Sequence, residues 1–111
     1  MLNQVVLVGR LVKDVEIRTT ENKKKYSFIT LAIPRSFKNH DGIYETDFVE
    51  CSLWNNVASN TAEYCQKGDI IGVKGRLETR MIEDNGPKSL LQVVAEKVTF
   101  LSNKNNKEET G

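Results

Sequence analysis

Nucleophilic or acid–base catalysis needs a nucleophile within reach of a base. The sequence offers poor material for either. Its one histidine, His40, stands between Asn39 and Asp41 in a polar stretch, and its two cysteines, Cys51 and Cys65, are far apart. Neither cysteine sits in a C-x-x-C or other zinc-ligand spacing. The acids occur singly, with no H-E-x-x-H and no calcium-loop spacing, and no G-x-x-x-x-G-K run exists to cradle a phosphate. Gly72-Val73-Lys74-Gly75 has the G-x-x-G form of a loop that clamps RNA, but that loop joins two helices. Here the four residues lie inside an alternating apolar–polar run, so the match is chance. No catalytic residue, metal or cofactor is expected. A different chemistry is carried by flat rings beside cations: Phe37, Phe48 and Trp54, with Arg35, Lys38, Arg76 and Arg80 on neighbouring segments. Unstacked bases need such surfaces, because every base has a π-face and every nucleotide a phosphate.

The elements that hold these residues can be read from their periodicity. In Asp47–Trp54, Val49, Cys51 and Leu53 alternate with Phe48, Glu50, Ser52 and Trp54. Successive strand side chains point to opposite faces, so one face is aliphatic and the other sets two aromatics among polar groups. The alternation alone is equally compatible with Phe48 and Trp54 packing under a loop or at a subunit contact. Upstream, Leu2–Val12 reads as a strand with a bend or bulge at Gly9. Val15–Thr20 reads as a half-buried second strand, and Lys23-Lys24-Lys25 as a hairpin tip. Tyr26–Ile33 is a third strand halted near Pro34, and Ser36–Glu45 is a polar excursion. Downstream, Asn55–Gln66 is the one convincing helix, with Val57, Ala58, Thr61, Ala62 and Cys65 at three- and four-residue spacings and Gly68 placed to end it. Ile70–Met81 and Ser89–Leu101 form a long hairpin about a turn at Asp84-Asn85-Gly86-Pro87. Five or so strands with one helix suit a small closed barrel, the helix plugging one end.

Bulk properties agree without deciding the function. A chain of 111 residues is one domain, and 39% apolar with 28% charged residues is ordinary for a globular protein. The net charge of +1 gives no general cationic field, so any anion-binding surface must come from where the Lys and Arg sit. Val5–Val8 is too short for a signal peptide core, and no run approaches a membrane span. Two isolated cysteines fit free thiols in a reducing cytoplasm. Residues 1–101 are expected to form the domain and residues 102–111, which lack apolar side chains, a disordered polar tail.

Four segments resemble the bacterial single-stranded DNA-binding proteins: Asn3-Gln4-Val5-Val6-Leu7-Val8-Gly9-Arg10-Leu11, Phe28-Ile29-Thr30-Leu31-Ala32, Glu63-Tyr64-Cys65-Gln66-Lys67-Gly68 and Val73-Lys74-Gly75-Arg76-Leu77-Glu78-Thr79-Arg80. They occur in order across residues 1 to about 101. The resemblance implies an oligonucleotide-binding (OB) fold, a five-stranded Greek-key barrel with one short helix. It further implies a cytoplasmic, nucleoid-associated homotetramer that wraps single-stranded DNA without sequence preference, in replication, recombination, repair or DNA uptake. The family's stacking aromatics are matched at Phe37, Phe48 and Trp54, whereas a fourth falls on Ile82. Arg10, Arg35, Lys38, Lys74, Arg76 and Arg80 are the phosphate-binding candidates. Relatives that recruit other proteins end in an acidic tip, while this sequence stops at Lys107-Glu108-Glu109-Thr110-Gly111, so recruitment through the C-terminus is not expected. An OB-fold primosomal accessory protein, working mainly through protein contacts, is the alternative.

Overall fold

A computed structural model describes residues 1–102. The elements are β1 (Val5–Leu11), β2 (Arg18–Thr19), β3 (Lys25–Lys38), β4 (Tyr44–Trp54), α1 (Asn55–Tyr64), β5 (Ile70–Glu83) and β6 (Pro87–Ser102). The sheet order is β1-β5-β6-β4-β3-β2, and an additional β1–β3 pairing joins its ends. That pairing closes a five-stranded barrel on which β2 is a short appendage, the Greek-key arrangement of an OB fold. All pairings are antiparallel except β4 with β6, where Cys51 and Ser52 lie beside Val93 and Val94 in parallel.

Alternation fills the interior. Leu11, Ile29, Leu31, Cys51, Leu53, Ile71, Val73, Val93 and Ala95 are all buried in one core cluster. Helix α1 packs against β3, β4 and β6 and buries Ala58 and Thr61. It ends at Tyr64, short of the expected Gln66, because Cys65 returns to an extended conformation.

Closure depends on two glycines. A Cβ on Gly9 would stand 2.8 Å from Ile33 Cγ1 and 3.0 Å from the Ala32 carbonyl oxygen. Of the bend or bulge expected at Gly9, no bulge forms, since β1 pairs regularly with β5 through Gly9↔Ile71; the glycine lets β3 approach where β1 begins to pair with it at Arg10. At Gly75 a Cβ would meet the Val94 carbonyl oxygen at 2.1 Å. Here the β5–β6 register does shift, between Lys74 and Gly75.

Other expectations are corrected. Only Arg18–Thr19 of the expected 15–20 strand forms a ladder; Val15 packs against the core from outside any strand. Strand β3 does not stop at Pro34 but pairs it with Thr46 and continues, after a register shift, to Lys38↔Tyr44. The expected excursion over Ser36–Glu45 is thus mostly hairpin arm. Its tip is tied by the Asn39 side-chain oxygen, which accepts the N–H groups of Asp41 and Ile43, and by Gly42 at φ 78°. Of the segment 102–111, Ser102 is the last residue of β6, and the expected disordered tail otherwise lies outside the described residues.

Candidate nucleic-acid interface

The register of β3 against β4 decides which rings share a face. Tyr26 lies opposite Trp54, Phe28 opposite Ser52, Thr30 opposite Glu50 and Ala32 opposite Phe48. The intervening residues Ser27, Ile29, Leu31, Cys51 and Leu53 are buried, so the even-numbered set lies on the opposite, outer face, where Ser52 is nonetheless covered while Trp54 and Phe48 stay exposed. Directly opposed side chains on one face are in contact range. Tyr26 and Trp54 stack with centroids 5.4 Å apart and planes 28° from parallel, and Phe28 meets Tyr26 edge-on at 5.7 Å. Trp54 keeps 37% of its surface exposed and Phe48 68%. The two are six residue steps apart along β4, about 20 Å at ~3.4 Å per residue. The outward face is therefore a track with rings at both ends.

The structure brings Phe48 and Trp54 onto that track. Phe37 is exposed within the bulged part of β3, beyond the regular ladder. Ile82, where the resemblance expected an aromatic, is half-buried on the β5–β6 arm. Three aromatics escaped sequence reasoning: Tyr26, Phe28 and Tyr44. The signal for the first two was available, since Tyr26 and Phe28 alternate with the core residues Ile29 and Leu31, but an aromatic in an apolar strand reads equally well as core. Tyr44 shares its face with Phe48 and carries the Lys38 ammonium 5.6 Å from its centroid.

The six phosphate-binding candidates divide. Arg80 places its guanidinium carbon 5.3 Å from the Phe28 centroid and so belongs to the ring cluster. Lys38 borders Tyr44, and Lys74 is exposed on β5 with no ion-pair partner among the described residues. The other three are engaged within the chain. Arg10 Nη1 donates to the Gly68 carbonyl at 2.6 Å. Arg35 forms a fork on Asp47, with Nε and Nη2 on the carboxylate and Nη1 on Glu45 at 3.0 Å. Glu45 and Asp47 alternate with Phe48 along β4, which draws Arg35 to the opposite face. Arg76 bridges Glu78 at 3.0 Å and Glu96 at 3.3 Å. The hydrogen bond from Arg35 holds the Asp47 carboxyl below its ordinary range, and the same bond raises the Arg35 guanidinium.

The remaining reactive groups are quiet. Burial, with a smaller contribution from Glu50, pushes the Cys51 thiol up to about 11, and burial also raises Cys65. Thiols so placed are overwhelmingly protonated at neutral pH and are weak nucleophiles. His40 is exposed, 3.7 Å from Asp41. Among the described residues no three His, Cys, Asp or Glu side chains are grouped to hold a metal, and no helix is long and apolar enough to cross a membrane.

Comparison with known proteins is consistent across the barrel. The family model for the single-strand binding protein family matches residues 2–101. The chain is 46% identical over 106 residues to single-stranded DNA-binding protein B of Bacillus subtilis strain 168, covering 94% of each chain. It is also 46% identical over 111 residues to single-stranded DNA-binding protein 2 of Listeria monocytogenes, covering 98% of this chain and 69% of that one. Single-stranded DNA-binding protein A of the same Bacillus strain is 46% identical over 107 residues, covering 95% of this chain and 62% of the relative.

Proposed function

The chain belongs to the single-strand binding protein family, and from that premise we propose how it works: it lays the bases of single-stranded DNA along the outward face of β3 and β4. It binds single-stranded DNA, and its work is binding rather than catalysis. The observation that carries the proposed path is Trp54, stacked on Tyr26 and still 37% exposed to solvent. Phe48 continues the path along β4, and Phe37 extends it onto the hairpin arm. Stacking of this kind is indifferent to base identity, hence no sequence preference. Lys38, Lys74 and Arg80 supply the first phosphate contacts. Arg10, Arg35 and Arg76 join only where DNA displaces their present partners.

The assembly that suits this role is a homotetramer. Strand β1 pairs with β3 only through Arg10 and Leu11, which leaves the Val5–Val8 part of that edge open. Its side chains Val6 and Val8 are exposed, and Val8 lies beside Ala32, Pro34 and Ile70. An open edge flanked by exposed apolar residues invites pairing with a second copy, and closed symmetry keeps such pairing finite. The proposed setting is the cytoplasm, at the nucleoid, in replication, recombination, repair or DNA uptake; the two free cysteines suit a reducing compartment. Residues 1–101 act as the binding domain, with the polar residues 103–111 dispensable for it. Membership of this family does not favour a primosomal accessory role.

Titration with oligo-dT tests the reading. Emission from Trp54, the only tryptophan, should be strongly quenched. Light scattering should give a tetrameric mass with and without DNA. Unchanged emission at saturation would overturn the base path, and a monomeric mass at micromolar concentration would overturn the assembly.

A further inference from the structure

A cleft opens beside the ring cluster. It is lined by Lys13, Asp14, Glu16 and Arg18 from the segment between β1 and β3, and by Tyr26 and Phe28 from β3, and holds about 280 Å³. That volume lies just under the ~300 Å³ lower end of small-molecule pockets, room for one nucleotide unit and not for a stretch of strand. We propose that this cleft is a nucleotide subsite, in which one base lies against Tyr26 and Phe28 and its phosphate sits between Lys13 and Arg18. It rests on the reading of Trp54 as a stacking ring, and it carries the DNA past Trp54 toward the β2–β3 hairpin.

Three observations support it. First, the wall is continuous with the track: Trp54 stacks on Tyr26, and Tyr26 touches Phe28. A base leaving Trp54 therefore meets aromatic surface again without crossing polar ground. Second, Tyr26 and Phe28 are only half-buried, although the alternate residues Ser27 and Ile29 beside them are fully buried. Arg80 covers Phe28 from the β5–β6 arm, yet Arg80 does not line the cleft, so it supports the ring without filling the cleft. Third, the charges are arranged to receive an anion even though two carboxylates share the cleft. Asp14 is committed, its Oδ1 accepting the backbone N–H of Lys67 at 2.8 Å. Glu16 holds Arg18 at 3.8 Å, with both side chains mostly exposed. Such a pair contributes little, so a phosphate can take Arg18 over cheaply. Lys13 has no ion-pair partner among the described residues.

The test uses the full chain and dye-labelled oligo-dT. The Lys13→Ala/Arg18→Ala double variant should bind more weakly and lower the magnitude of the log K against log salt slope by about 0.7, the value for one phosphate released from a single strand. Lys23→Ala/Lys24→Ala removes the same charge from the nearby turn, outside the cleft, and should change the slope less. Phe28→Leu should lose roughly 5- to 150-fold in affinity, the span that stacking of one base covers. Because Phe28→Leu could disturb folding, a 5-iodouracil oligonucleotide cross-linked to the unaltered protein supplies a direct readout, with adducts expected on Tyr26 or Phe28. Quenching of Trp54 together with an unaltered slope in the Lys13/Arg18 variant, or an equal change in the Lys23/Lys24 control, would overturn the subsite and leave the Trp54 reading standing. So would adducts that avoid both rings. Absence of quenching and of adducts together would overturn both.

Discussion

Replacing Trp54 by alanine separates stacking from electrostatics. The ring gives one face to Tyr26 at 5.4 Å, so only one face is left for a base. Stacking one base on an aromatic contributes about 1–3 kcal/mol. Trp54→Ala also bares Tyr26, which then offers a face of its own, so the net loss should fall in the lower part of that range. At about 1–2 kcal/mol the affinity drops roughly 5- to 30-fold. The fold should survive, because the lost ring–ring contact is worth about 0.5–1.5 kcal/mol beyond its area and Trp54 is not part of the barrel interior. No charge is removed, so the salt slope should be unchanged and only the intercept should move. Trp54→Phe should recover most of the loss. The assay is fluorescence anisotropy of a labelled dT oligomer at several salt concentrations, alongside urea unfolding of each variant. Affinity within twofold of the parent, or a slope change near the ~0.7 expected for a lost phosphate contact, would refute stacking at this position.

Other consequences can be checked independently. Gly75→Ala should cost about 3 kcal/mol in urea unfolding, the upper end for overpacking, because the obstacle at 2.1 Å is the Val94 backbone and not a movable side chain. Arg35→Met should leave the salt slope of DNA binding nearly unchanged, since Asp47 and Glu45 already occupy that guanidinium. The Asp47 carboxyl is depressed in the folded state, so the stabilisation from its pair is present above the ordinary carboxylate pKa and fades as pH falls through the lower folded value; Arg35→Met should lose that part of the acid transition. Ellman's reagent should react with neither thiol in native protein at pH 8 and with both after unfolding, given two buried cysteines and Cys51 at about 11. Removing residues 103–111, where Lys104 and Lys107 balance Glu108 and Glu109, should leave affinity within error of the full chain.

Local patterns carried what is local. The alternation in β4 put Phe48 and Trp54 outward and Cys51 and Leu53 inward, as the register places them. The helix was readable from its start at Asn55 to within two residues of its end. Contacts between distant segments were not readable. Tyr26 meets Trp54 only because β3 and β4 pair in one register out of several, and no property of Tyr26 alone announces that register. The commitment of Arg35 to Asp47 and Glu45 arises in the same way, from a hairpin arm longer than Pro34 suggested. A lone arginine beside an aromatic reads as a phosphate ligand; its carboxylate partners become visible only across the strand pair.

The position of β6 in the chain bears on how the molecule is made. Among the described residues it is the last strand in chain order, and it alone bridges β5 to β4. During synthesis the earlier strands therefore emerge with two open edges, and the barrel cannot close until the final strand has left the ribosome. Folds built from such non-local pairings form in milliseconds to seconds, not microseconds. Throughout that interval the apolar faces of β3, β4 and β5 stand uncovered and open to pairing with other chains. Nascent protein thus has no closed barrel to hold β3 and β4 in place until synthesis of β6 ends, and its rate of self-closure competes directly with aggregation.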